Sequence, residues 1–296
     1  PVGGAGFADS FVILGDASTV PVLSAHITGN YFYTEDIGHD SAITVDGSSG
    51  TGDGILRIDS NDIFSNGGQI SKAIVINEGV TPFAAGLVCM ITMNTIRQSS
   101  VADILTGIHA EMAGQSIISM NSISAQDEGI VLGSSSNSGA FDPMITAMNS
   151  IYLTGTDPVG IDLSSQWVAG GANITAFNAI NNDVAVAGAG DIVGIDAKGL
   201  SGTPQEYAVI AGNLTNGGDV GIAAHLQHST MFGNVVSNIS GGGTEYLMGT
   251  TEVTTIAMAT VSVFGNLGQG GSSGMVQATA ADQWTESVMM GNVFDP

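Results

Sequence analysis

Short runs of alternating apolar and polar residues fill this chain, and they come in pairs. Ile117-Ile118-Ser119-Met120-Asn121-Ser122-Ile123 reads as a strand that carries an asparagine. Gly129-Ile130-Val131-Leu132 reads as a second strand one turn later. The two-residue period is that of a half-buried strand. In Ile161-Asp162-Leu163 and Ile195-Asp196-Ala197 it points the apolar residues inward and the aspartates outward. A helical repeat would space apolar residues by three and four, and no long stretch does so.

The pair recurs almost end to end. The asparagine appears as Asn30, Asn61, Asn94, Asn121, Asn149, Asn178, Asn213, Asn234, Asn266 and Asn292, at separations of 21 to 35 residues. The second strand keeps step as Gly107-Ile108, Gly129-Ile130, Gly160-Ile161, Gly194-Ile195 and Gly221-Ile222, continued by Tyr246-Leu247 and Gly274-Met275. Fixed strands with variable spacing between them are the mark of stacked coils whose insertions sit in loops. If each repeat is one coil, the asparagines stack at the strand spacing of about 4.8 Å. A carboxamide carries both donors and acceptors, so each can bond the coil above and the coil below.

Repeated Asn-x-Ile and Gly-Ile-x-Leu resemble the repeats of right-handed parallel β-helices, the family that includes pectate lyases, polygalacturonases and phage tail spikes. The resemblance covers Ile27 to Phe294. It implies an all-β, single-domain right-handed parallel β-helix of about ten coils over residues 27–296. Residues 1–26 lack the asparagine mark and read as an N-terminal cap or irregular first coil, as expected of a terminal repeat. The fold says little about activity, because it hosts many functions.

Charge changes the picture most. The chain has 27 acidic residues against four basic ones, Arg57, Lys72, Arg97 and Lys198, for a net charge of -23. That excludes nucleic acid as a partner, which needs basic patches, and an anionic membrane surface. No run of apolar residues is long enough to insert into a membrane. Three readings of the acidity stay open: a high-salt environment, loading with Ca²⁺ or other cations, or a secreted or viral fibre rich in small residues. No organic cofactor is implied. The lone cysteine, Cys89, sits in an apolar run and reads as a small core residue.

Asp162 and Asp196 are the best candidate catalytic pair. Both follow Gly-Ile on consecutive coils, which would put them about 5 Å apart, near the separation used by retaining glycosidases. The alternative is two solvated surface acids. His109 shares their column two coils away, and His225 and His228 lack a third partner for a metal. Trp167 and Trp284 are candidates to stack on a sugar. Val75, Val131, Ala223 and Val276 occupy the same outward column as the aspartates and form an apolar stripe that would suit an interface.

These features favour a structural or adhesion protein of a virus or cell surface, such as a tail spike, fibre or capsid turret. It would act outside the cell or on a virion, with other surface proteins and a glycan as partners. The resemblance to phage spikes implies a homotrimer. The alternative is a secreted glycoside hydrolase or polysaccharide lyase acting through Asp162 and Asp196.

With a net charge of -23, screening or cation binding should stabilise the fold. The melting temperature is expected to rise from low to molar NaCl, or on adding millimolar Ca²⁺. A melting curve indifferent to both would reduce the acidity to composition.

Overall fold

The computed structural model of the chain describes residues 9–14, 24–35, 38–46, 54–76, 87–100, 103–110, 115–133, 144–163, 177–198, 205–240, 243–248, 258–277 and 286–295. They form a parallel β-solenoid. Three parallel sheets of ten strands each run its length, with a separate two-stranded pair, and no helix occurs among the described residues. We call the three sheets A, B and C. A typical coil is Met144–Ala147 in sheet B, Ser150–Leu153 in sheet C and Val159–Asp162 in sheet A. Asp9–Leu14 already pairs with His39–Asp46 as the first strand of sheet A.

Isoleucine fills the interior in straight columns. On sheet B, Ile27, Ile58, Ile91 and Ile118 are successive register partners. On sheet A the column runs Ile43, Ile74, Ile108, Ile130, Ile161, Ile195 and Ile222. All are buried, each stabilising the fold by about 1.5–3 kcal/mol on transfer from water. β-Branched chains suit these positions because they pack well on a pleated surface and lose little rotamer freedom there.

The glycine of Gly-Ile has a steric cause. A Cβ on Gly160 would stand 2.3 Å from Val184 Cγ1 and 2.4 Å from the Gly194 carbonyl oxygen. On Gly221 it would stand 2.2 Å from Val236 Cγ1. From Gly107 to Gly221 the inward β-branched residue of sheet C thus fills the space above the sheet A glycine. Further along, the arrangement inverts. Glu245 occupies the glycine position, buried, and Gly268 occupies the β-branched one, where a Cβ would meet Glu245 Cγ at 2.8 Å. Glu245 accepts the Gly271 N–H at 2.8 Å. Its neighbour Tyr246, not Leu247, continues the isoleucine column of sheet A. The sequence pair Tyr246-Leu247 is therefore one residue out of register, and the reason is this exchange of glycine for glutamate.

Between sheets B and C the chain turns through one left-handed residue and then an asparagine. The left-handed residue is Ser60, Met93, Met120, Met148 or Asn181, with φ of 54–57°, or glycine at 29, 212, 233, 265 and 291. The asparagine that follows is bonded on both sides. Asn121 Oδ1 accepts from the backbone N–H and the side-chain amide of Asn94, both at 3.0 Å. Its own amide donates to Ile91 O and to Asn149 Oδ1, both at 2.9 Å. Both hydrogens and both lone pairs are used.

Asn30, Asn61, Asn94, Asn121, Asn149, Asn213, Asn234, Asn266 and Asn292 all stand in this ladder. Asn178 does not. Asn182 takes its place, donating to Asn213 Oδ1 and receiving from Asn149. Asn178 lies within the strand Phe177–Ile180 on the outer side of sheet B, beside Ile145 and Val209. Asn178-Ala179-Ile180 copies the Asn-x-Ile mark, but only Asn182 follows a left-handed residue.

Asn121→Leu would leave the Asn94 N–H and one hydrogen of the Asn94 amide without an acceptor in the interior, and would take one donor each from Ile91 O and Asn149 Oδ1. Each orphaned buried group costs about 1–3 kcal/mol. A clear fall in melting temperature is expected. An unchanged one would show that the ladder does not hold the coils.

Candidate functional site

The aspartate pair stands on adjacent strands of sheet A. Asp162 and Asp196 are register partners, below Ala223 and above Val131 and His109 in one column. Expected on an open face, the pair is instead only 4% and 5% exposed. Asp196 Oδ2 lies 3.0 Å from Lys198 Nζ. Burial raises the Asp196 pKa, Lys198 opposes that, and the Asp162 charge adds to it.

The column shares that environment. Val75, His109, Val131 and Ala223 are buried, although they lie outside the interior core. Toward the two ends of the column Thr44, Leu247 and Val276 are half-buried. The apolar stripe read from the sequence is therefore not an exposed face of the single chain. Two-residue alternation tells inside from outside of a coil, but not whether the outside is covered.

An open surface lies on sheet C, near its N-terminal end. Tyr31–Glu35, Asp62–Asn66 and Thr95–Gln98 are adjacent strands there. Alternation sends Phe32, Ile63 and Ile96 inward and Tyr31, Tyr33, Phe64 and Arg97 outward. Tyr31 is 60% exposed and Tyr33 47%. Their rings lie 6.3 Å apart and nearly parallel, at 15°. Phe64 follows at 5.8 Å from Tyr33. The Arg97 guanidinium covers the Phe64 ring at 4.7 Å and grips Asp62 through two bonds of 3.0 and 2.8 Å. Asn66 donates to the Tyr33 hydroxyl at 3.2 Å. Each ring is held in place by a neighbour one coil away or on its own strand, so little side-chain freedom is left to lose on binding.

The face continues with small hydroxylated residues, Ser122, Ser124 and Ser150, to Tyr152, which is exposed. Flat aromatic faces flanked by amide, carboxylate and guanidinium groups match the two sides of a sugar ring: an apolar C–H face and a rim of hydroxyls. The signal was present in the sequence as Tyr31-x-Tyr33 beside the inward Phe32. Trp167 and Trp284, the candidates for sugar stacking named from the sequence, lie outside the described residues.

Cys89 is buried, and burial pushes its thiol up to about 12, which leaves it unreactive. His225 is buried, and His228 stacks on Tyr207 at 5.5 Å. Among the described residues no group of three or more His, Cys, Asp or Glu side chains could hold a metal ion. No helix among them is long and apolar enough to cross a membrane. The chain matches no protein-family model, and comparison with curated proteins and with solved structures returned no match.

The raised Asp196 pKa has a consequence for stability. Above the unfolded value of about 3.9 the folded state holds its proton more tightly than the unfolded chain, so this residue's contribution falls as pH rises. Relative to the native chain, Asp196→Asn should gain stability as pH is raised from about 4 toward 7, in melts at a series of pH values. A difference independent of pH would show that Asp196 titrates as a solvated acid.

Proposed function

We propose that this chain is a structural and adhesion protein displayed on a virus or cell surface, which presents its solenoid for recognition of glycan. The observation that carries the reading is the row of exposed Tyr31 and Tyr33 and half-buried Phe64 on a rigid sheet, with Arg97, Asp62 and Asn66 at its rim. Large exposed aromatics on a monomer's surface mark a binding site more often than a solvated face. Here they are fixed by stacking and a bidentate ion pair. Coils about 4.8 Å apart repeat polar groups along the face at a spacing that a linear glycan can follow. The closed environment of Asp162 and Asp196 supports binding over cleavage.

The test is binding to a panel of surface polysaccharides, with release of reducing sugar measured in parallel. Binding without release is expected. Tyr31→Ala combined with Tyr33→Ala should weaken it by tenfold or more, the loss of about two stacking contacts. Asp162→Asn and Asp196→Asn should leave it unchanged. Sugar release that these two substitutions abolish would replace the adhesion reading with the hydrolase one.

A further inference from the structure

We infer that the outer face of sheet B, with the methionine edge beside it, is the surface on which copies of this chain associate with one another. The first observation is a strained edge. The corner residue before each ladder asparagine is left-handed on every coil, and five coils use glycine there. Glycine adopts that backbone freely, whereas an L-residue pays about 1 kcal/mol or more for it. Met93, Met120 and Met148 occupy the corner on three successive coils at φ of 55–57°. They are 51%, 48% and 54% exposed. Within one chain these side chains return little for the strain, since half of each faces water.

The second observation is the sheet beside them. From Leu87–Thr92 to Val288–Met290, eight strands of sheet B contain no charged residue at all. Its outward column includes Met90, Ile117 and Ile145, in register and half-buried. Farther along, Phe232 and Phe264 stack at 5.2 Å and are 38% and 42% exposed. A charge-free face of this length is unexpected on a chain of net charge -23.

The occupant follows from charge, period and area. Two copies of so acidic a chain repel one another on any face that carries its acids, and sheet B removes that cost. The Met93–Met120–Met148 edge and the Ile117–Ile145 row repeat at the same coil spacing of about 4.8 Å. The ridge of one copy therefore fits the row of another along its whole length when the axes are aligned. The eight charge-free strands at that spacing give a length of about 34 Å. With a width of about 15 Å, the face offers roughly 500 Å² per copy, so a pair would bury about 1,000 Å², the size at which a specific though weak interface begins.

Mass in solution tests this, by light scattering in 1 M NaCl, where screening shortens to about 3 Å. The expected mass is two or more times the 29.8 kDa of one chain. Replacing Met93, Met120 and Met148 together by glycine keeps the backbone used on the other coils, so the variant should fold at least as well. Its dissociation constant should rise tenfold or more. Ile145→Lys should raise it further, with folding checked by circular dichroism. A native chain that stays at 29.8 kDa at 100 μM gives the face to some other occupant and overturns the inference. An oligomer that both variants leave intact places the contact elsewhere and overturns it equally. Neither outcome bears on glycan binding through Tyr31 and Tyr33, which is measured separately.

Discussion

A carboxamide has two hydrogens and two lone pairs, and in this solenoid the ladder asparagines from Asn61 to Asn266 spend all four between neighbouring coils. The side-chain bonds that link Asn61 to Asn266 are short, 2.8–3.0 Å, and lie in the interior where water cannot replace them. An asparagine that moved by one residue would leave polar groups unpaired above and below. The turn between sheets B and C is thereby fixed at the same point of every coil. With that point fixed, the side chains on either side have no choice of face, because a strand slipped by one residue turns all of them over. The straight isoleucine columns follow from the corner.

The corner also dictates what can lie beside it. The inward residue of sheet C stands two places after the asparagine, and it projects across the interior onto sheet A. From Gly107 to Gly221 it meets there a backbone so close that no Cβ fits. Glycine in one sheet and a β-branched residue in the other are two halves of one packing solution. Glu245 and Gly268 are the same solution with its halves exchanged. The total volume is kept, as a close-packed interior requires.

This coupling explains what the sequence makes legible. A parallel solenoid is readable because the asparagine and the Gly-Ile pair both arise from contacts between coils, so they recur whenever a coil does. The errors come from marks that copy the letters without the geometry. Asn178 is followed by Ile180 like its counterparts, yet it precedes the left-handed residue at Asn181 and so belongs to a strand. Tyr246 stands where isoleucine would, because Glu245 has displaced the glycine that marks the register. For Asp162 and Asp196 the alternation gave the correct column and the correct neighbours. Their burial was invisible, since it depends on the rest of the chain and not on the coil. For the Tyr31–Tyr33–Phe64 row the period of Tyr31-x-Tyr33 gives the outward side of the strand but not its exposure, because no local rule separates an exposed aromatic from one that is covered.

The three outer faces have thus diverged although one repeat generates them all. Sheet A's outer column is buried from Val75 to Ala223 and holds the ion pair of Asp196 with Lys198. Sheet C is open and carries rings, hydroxyls and the Arg97–Asp62 pair. Sheet B lacks charge over most of its length. The ladder makes such divergence inexpensive, because outward residues take no part in register or core packing. A substitution on an outer column changes the surface and leaves the coil intact. In this chain the positions under the strictest physical constraint are therefore those that say least about function. The exposed methionines at a corner that glycine would fill more easily are informative for the same reason: the fold alone does not call for them.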